Sequence, residues 1–248
     1  MKYDYDIQGQ GYSRLRQTDP QIARYIHSAL GDAQTVLNVG AGTGSYEPED
    51  RYVVAVEPSK VMRSQRPRNL AVAINAVAEA LPFDDDAFDG SMAMLTIHHW
   101  SDPFAGLREM RRVTKGPVVI CTFDVTVFPT YWVAKYLPEF VESDKKRFPS
   151  IEQITNCLGG TCKVEVVPVP FDCRDGMLEA FYGRPELLLK PEIRGSQSIW
   201  GVLPAGVEER FVRELSTDLA SGEWDKNYGH LRRESEFQCA LRLIKAIK

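Results

Sequence analysis

Short apolar runs alternate with stretches of helical periodicity along the first half of this chain. The runs are Thr35-Val36-Leu37-Asn38-Val39, a second that ends at Glu57, then Leu70 to Ile74, Gly90 to Ile97 and Pro117 to Phe123. Their length and their Val, Ile, Leu and Met content predict strands. Pro20 to Gly31 sets Ile22, Ile26 and Leu30 on one helical face behind Asp19 as cap, Pro58 to Met62 opens another helix, and Asp102-Pro103 starts a third that ends at Lys115-Gly116. A capping side chain followed by proline in the first turn, with glycine past the last, marks helix ends. Strand and helix alternating in this way predict a parallel sheet.

The second half is less regular. Ser150-Ile151-Glu152-Gln153 reads as a capping box, with Gly159-Gly160 as the stop of its helix. Lys163 to Val169 and Glu236 to Ile244 are two more strands, the latter alternating as an antiparallel strand at a sheet margin can. Aromatic residues crowd the segment from Val125 to Phe140, and 172–229 is mostly helical and holds Phe181, Tyr182, Trp200 and Trp224. No repeat or Gly/Ser linker divides the chain, so a single domain over 1–248 is expected.

Composition narrows the setting. A chain of 248 residues, 44% of them hydrophobic, can build one large α/β domain without disulfides or metals. A formal net charge of -4 argues against a phosphate-tracking surface, so no nucleic-acid partner is expected. Five cysteines, odd in number and without a Cys-x-x-Cys pair, suit a reducing cytosol; no metal site is expected among them. No apolar run reaches the roughly 18 residues of a membrane span. A cytoplasmic monomer or homodimer, with no membrane partner, is the expectation.

The chemistry starts at the turn after the first strand, Gly40-Ala41-Gly42-Thr43-Gly44. A strand feeding such a loop brings bare backbone against a ligand, and a carboxylate closing the next strand, here Glu57, can grip two vicinal hydroxyls. That pattern points to a nucleoside cofactor. A dinucleotide fingerprint needs a third glycine at the position of Ser45; without it the helix expected after the loop packs less closely and fits a pyrophosphate less well.

Val39-Gly40-Ala41-Gly42-Thr43-Gly44 resembles the first motif of the class I S-adenosylmethionine-dependent methyltransferases. Two further stretches carry the same resemblance. Ala78-Glu79-Ala80-Leu81-Pro82-Phe83-Asp84-Asp85-Asp86-Ala87-Phe88-Asp89 is similar to the family's segment along the adenine, and His98-His99-Trp100-Ser101-Asp102-Pro103 to the turn after its fourth strand. The resemblance covers about the first half of the chain. It implies a Rossmann-like α/β fold with a seven-stranded mixed sheet, helices on both faces and an antiparallel last strand. It also implies S-adenosyl-L-methionine as cofactor, held by Tyr12, Arg16, Asn38, Gly40, Ala41, Gly42, Gly44, Glu57, Pro58, Met62, Ala78, Glu79 and Thr96. Tyr12 and Arg16 match a Tyr-x-x-x-Arg element that folds over the cofactor, the arginine meeting the methionine carboxylate. Where the family commonly has an Asp before the Ala-Glu pair, this chain has Val77, so the adenine amino group needs Glu79 or a main-chain carbonyl instead.

On this reading 1–34 is an N-terminal lid and helix, 35–124 the cofactor-binding core, and 125–160 and 172–229 insertions that cover a small-molecule acceptor with aromatic walls. The reaction expected is methyl transfer to oxygen, nitrogen or carbon. A hydroxyl or amine acceptor loses a proton on methylation, and His98 or His99 is placed to take it. A non-enzymatic S-adenosylmethionine-binding protein would carry the same cofactor residues, and a nicotinamide oxidoreductase is the other alternative.

Overall fold

The computed structural model describes Asp6 and residues 12–248. A short helix α1 (Tyr12–Leu15) leads into α2 (Pro20–Leu30), whose cap Asp19 accepts from the backbone N–H groups of Gln21 and Ile22. Strands β1 (Thr35–Val39) and β2 (Tyr52–Val56) follow, then α3 (Lys60–Ser64), β3 (Gly90–Met94), α4 (Pro103–Val113) and β4 (Val118–Phe123). The aromatic segment folds into α5 (Val133–Tyr136) and α6 (Pro138–Arg147), and the capping box of Ser150 and Gln153 opens α7 (Ile151–Leu158). After β5 (Thr161–Val166) and β6 (Val169–Pro170) come α8 (Pro191–Gly195), α9 (Val207–Ser221) and α10 (Glu223–Tyr228), and the chain returns through β7 (Glu236–Phe237) and β8 (Leu241–Ile247).

The main sheet has the order β2-β1-β3-β4-β8-β5. Its first four strands pair in parallel, and β8 runs antiparallel to both β4 and β5. Successive residues of a strand point to opposite faces, and here both faces are covered. Val36, Met92, Val119 and Cys121 pack in one cluster with Ile22, Ile26 and Leu30 of α2 and with the aromatic segment. Leu37, Val39, Ala93, Val118 and Ile120 pack in the other with Leu107, Met110 and Val113 of α4 and with Ile154 and Leu158 of α7. This is why the central strands read as largely apolar runs.

The expected α/β architecture is present, with six strands in the main sheet instead of seven. The run from Leu70 to Ile74 contributes only one bridge, Ile74 to Val56. It buries little, only Ala73 against Ala41 and Ala55: Val72 is 91% exposed, and Leu70 turns toward Gly44. The strand expected to reach Ile97 stops at Met94, because Leu95 takes a left-handed φ of 53° and Ile97–His99 forms one 3-10 turn. The expected last strand divides, Glu236–Phe237 pairing with Val169–Pro170 in a separate two-stranded sheet.

Among the described residues no helix is long and apolar enough to cross a membrane, and no group of three or more His, Cys, Asp or Glu is placed to hold a metal ion. All five cysteines are free.

Asp89 holds the start of β1 beside β3. Its Oδ2 accepts from the N–H groups of Gln34 and Thr35 and from Thr35 Oγ1 at 3.1, 2.8 and 2.9 Å, while Lys115 pairs with Oδ1 at 2.8 Å. Lys115 and Thr35 keep this carboxyl well below the usual range. A depressed pKa stabilises the folded state above the unfolded value near 3.8 and loses that contribution as pH falls through the folded one. Asp89→Asn is therefore expected to cost about 1–3 kcal/mol at pH 7. Urea unfolding should show the gap to wild type narrowing below pH 3.8.

Candidate active site

The sheet order reverses between β1 and β3, which leaves a crevice beyond their carboxyl ends. Gly40, Gly42 and Gly44 turn there with φ of 67°, 51° and 95°. Each glycine answers to a different constraint. A Cβ on Gly40 would lie 2.3 Å from Thr96 Oγ1, and one on Gly44 2.3 Å from Leu70 Cδ1, so these two are squeezed by neighbours. At Gly42 the one atom within 4 Å would be Met62 Cε at 3.3 Å, the end of a flexible side chain, and this backbone lines the cavity that opens at the crevice.

The expected helix does not follow the loop. Residues 41–51 run through turns into β2, and the helix N-terminus that would hold a pyrophosphate is missing. The connection is fastened instead by Glu47, whose buried carboxylate takes two bonds from Arg66 Nη2, at 3.0 and 2.9 Å, and one from Asn38 Nδ2 at 3.0 Å.

A cavity of about 450 Å³ opens at this crevice, within the roughly 300–1,000 Å³ usual for small-molecule sites. It brings together Tyr12, Arg16, Asn38, Gly40, Ala41, Gly42, Glu57, Pro58, Met62, Ala78, Glu79 and Thr96. Of the cofactor residues anticipated from the sequence only Gly44 is absent from the wall, because it sits against Leu70. Glu57 is buried; its Oε2 accepts from Gly42 N at 2.9 Å and its Oε1 from Ser59 N at 2.8 Å. Burial nevertheless pushes its pKa above the usual carboxylate value, outweighing these bonds. Asn38 keeps Oδ1 buried and without a partner among the described residues. Glu79 does not stand open to the cavity alone: its Oε1 accepts from the N–H groups of Ser101 and Asp102 at 2.6 and 3.0 Å.

Asp6, Tyr12 and Arg16 line this cavity; the rest of the expected lid before Tyr12 lies outside the described residues. Arg16 Nε pairs with Asp175, whose other oxygen accepts from Tyr46 Oη at 2.9 Å, and Leu15 O accepts from Gly176 N at 2.9 Å. Asp6 Oδ1 accepts from Ser59 Oγ at 2.6 Å and Val61 N at 3.1 Å.

The rings of the two histidines touch, with centroids 3.9 Å apart, yet they border different spaces. His99 lines the front cavity and His98 does not. Both line a second, rear cavity of about 60 Å³, which shares Arg16, Leu95 and His99 with the front one. Its walls are Phe123, Phe128, Tyr131, Phe140 and Phe148. His98 stacks on Phe148 with centroids 4.0 Å apart and planes at 18°. Burial, then the charges of neighbouring groups, pushes His98 well below the usual imidazole value, so it is neutral. Arg147 donates to Asp144 Oδ1 at 2.8 Å and Ser198 Oγ at 3.0 Å.

The sequence reading missed Leu95, Asp175 and Glu179. Glu179 alone had a signal, a single acid inside the apolar run Met177-Leu178-Glu179-Ala180-Phe181. Nothing in the sequence marks Leu95 as left-handed, and Asp175 meets Arg16 only across 159 positions of chain.

Sheet, crevice and glycine turn together define a doubly wound α/β protein with a nucleoside-sized cleft and a smaller aromatic chamber behind it. A family model described as a methyltransferase domain matches residues 37–120. The solved structure of a putative methyltransferase from an antibiotic biosynthesis pathway of Anabaena variabilis ATCC 29413 is 30% identical. It superposes with a TM-score of 0.87 over 95% of this chain and 100% of that one. Also similar are 2-methyl-6-phytyl-1,4-hydroquinone methyltransferase 1, chloroplastic, of Oryza sativa subsp. japonica, at 28% identity over 55% of this chain and 43% of that one, and the demethylmenaquinone methyltransferase of Renibacterium salmoninarum, at 33% over 51% and 56%. The chain thus spans about half the length of these curated relatives. It belongs to the class I S-adenosylmethionine-dependent methyltransferase family.

Burial pushes Glu179 up to about 7 from 4.5. Between those values the folded chain holds a proton that the unfolded chain has released, so folding stability falls as pH rises across this window. Glu179→Gln removes the titration. Thermal melts should show the variant gaining on wild type from pH 5 to pH 8; a constant difference would contradict the raised pKa.

Proposed function

We propose that the protein transfers a methyl group from S-adenosylmethionine to an oxygen, nitrogen or carbon atom of a small organic acceptor. The observation that carries this reading is the position of His99, which lines both the nucleoside-sized front cavity and the aromatic rear cavity. The residues fit the cofactor's parts. Bare backbone at Gly42 borders the space for the amino-acid tail, and the unpartnered Asn38 Oδ1 is an acceptor for its ammonium group. Glu57, buried and short of donors, is suited to two ribose hydroxyls. Met62 and Ala78 supply apolar surface for the adenine. Arg16, steadied by Asp175, lies where a carboxylate would be met.

When bound, the cofactor supplies a methyl group already activated on a sulfonium. Its carbon–sulfur bond would break as the bond to the acceptor formed, the sulfur leaving as a neutral thioether. The chain aligns the two partners and keeps water out, through Tyr12 and Arg16 at the mouth and the phenylalanines behind. With a hydroxyl or amine acceptor, the proton passes to the His99 imidazole. His98, neutral and stacked on Phe148, is poorly suited to hold a proton. The named relatives that act on a hydroquinone and on demethylmenaquinone support a small-molecule acceptor.

Calorimetry with S-adenosylhomocysteine tests the cofactor site. Glu57→Ala is expected to weaken binding by about tenfold or more, since a buried bond to a charged acceptor contributes about 1.5–3 kcal/mol. Gly42→Val, which forces a branched side chain onto a φ of 51° and into the cavity against Met62, should abolish it. An unchanged dissociation constant in Glu57→Ala would remove that residue from the site.

Transfer of labelled methyl from the cofactor into a metabolite extract tests the chemistry. His99→Asn should slow transfer by about 10²- to 10⁴-fold with cofactor affinity kept. An undiminished rate would mean that the acceptor needs no base, as a carbon or pre-ionised oxygen would not.

A further inference from the structure

The rear cavity reveals its ligand through the polar atoms it leaves over, an argument that rests on the methyl-transfer reading above. Most of its polar side chains are already satisfied. Gln197 donates to Gly176 O at 3.2 Å and accepts from Trp200 Nε1 at 2.9 Å, and Tyr131 Oη donates to Leu178 O at 3.1 Å. Both guanidinium groups have a carboxylate, Arg147 that of Asp144 and Arg16 that of Asp175. Two buried atoms in this wall have no partner among the described residues, His98 Nδ1 and Glu179 Oε2. Buried polar atoms in native proteins are almost always paired. Two left over around one cavity point to a ligand's polar edge.

The chemistry of that edge follows from the wall. Glu179 is 1% exposed and its Oε1 accepts from Ala240 N at 2.8 Å; the Cys239 thiol and the Leu241 backbone also favour the charged carboxylate, but burial outweighs them. A neutral carboxyl in this position carries its proton on the other oxygen, Oε2, which then offers a donor to the cavity. An ionised ligand group would find no counter-charge left for it: Arg147 is held by Asp144, and Arg16 by Asp175 and, on the reading above, by the cofactor's carboxylate, so burying it would be costly. The volume of about 60 Å³ admits the edge of a ring, with the remainder lying at Leu95 and His99 where the two cavities meet.

We propose that this cavity recognises the methyl acceptor, that the acceptor is a flat, uncharged ring bearing a carbonyl or hydroxyl oxygen, and that Glu179 selects it by donating a hydrogen bond to that oxygen. Aromatic walls stack on the ring, and His98 Nδ1 takes a second polar contact. Recognition fades when Glu179 ionises, because the donor is lost and a negative charge faces the ligand oxygen. The groups facing Glu179 from other elements are Cys121, Tyr131 and Cys239, all kept neutral by burial, and Arg242, which pairs with Asp124 at 3.5 Å. Asp144, in the same cavity, is pushed up to about 6 and titrates equally in Glu179 variants.

Ligand-observed NMR titration of protein saturated with S-adenosylhomocysteine, using acetophenone, toluene and benzoate as probes, tests the assignment. Acetophenone is expected to bind about tenfold tighter than the other two at pH 6. Glu179→Leu should erase that preference, and Glu179→Gln, whose amide still donates, should keep it. Between pH 6 and pH 8.5 acetophenone affinity should fall in wild type and stay level in Glu179→Gln, which decides the matter even if Glu179→Leu does not fold. Equal binding of acetophenone and toluene, preference for benzoate, no saturable acetophenone binding, or the same pH response in Glu179→Gln would each overturn the proposal. Titration of S-adenosylhomocysteine on the same samples separates the two readings: wild type that fails to bind it sinks the methyl-transfer reading and this one together, whereas normal binding alongside any of those failures sinks the acceptor assignment alone.

Discussion

The carboxylate of Glu57 ties the end of β2 to the glycine turn after β1, and the geometry of the cleft depends on that tie. Gly42 N and Ser59 N both point at it, from the two chain segments that frame the cavity. Two amide donors ordinarily hold a carboxylate's pKa down, yet here burial wins and raises it. The site is therefore short of hydrogen-bond donors for a buried anion. In the proposed function the ligand's hydroxyls supply them, so the group that braces the empty turn and the group that grips the sugar are the same. Arg63 reinforces the arrangement from outside, donating to the carbonyl oxygens of Glu57 and Pro58 at 2.7 Å each.

The rear chamber is built by a different part of the chain. The front cavity draws mainly on the ends of β1, β2 and β3, elements close in sequence and fixed by the parallel pairing. The rear one draws on the end of β4, on α6 and on the loops around Leu178 and Ile199. Those segments are locked by their own aromatic core, in which Trp132 meets Trp224 edge-on at 5.4 Å and donates Nε1 to Tyr182 O at 2.9 Å. The sheet thus fixes one wall and the aromatic cluster the other. Variation in the second leaves the first intact, which is how one scaffold can keep a cofactor cleft and change its acceptor.

What the sequence made legible was local. Caps at Asp19, Asp102 and Ser150 place helix ends because each depends on contacts within four residues. The strands were readable because burial on both faces leaves few polar positions in them, Asn38, Ser91 and Thr122 being the buried exceptions. Gly40 to Glu57 could be read because turn and carboxylate lie on adjacent strands. The run at Leu70 to Ile74 looked like a strand by composition, and only the absence of a layer to bury Val72 denies it that role. Asp175 and Glu179 could not be assigned, since their meaning lies in contacts with Arg16 and Ala240, 159 and 61 positions away. Pattern gives faces and ends; it does not say which distant loops close over them.

The adjacent histidines illustrate how a single backbone choice creates two environments. Leu95 turns through a left-handed conformation at φ 53°, uncommon for a residue with a side chain and the kind of strain that collects at functional sites. Its N–H still donates to Cys121 O at 2.8 Å, so β4 holds the strain in place. The turn ends β3 early, and Ile97–His99 winds into a 3-10 turn that leaves the His98 and His99 rings in contact, centroids 3.9 Å apart. His98 is thereby carried onto Phe148, where burial keeps it neutral, while His99 lines the junction of the two cavities. Had β3 continued as a strand, the two rings would have alternated across the sheet to opposite faces, and they would not both border the junction of the two cavities.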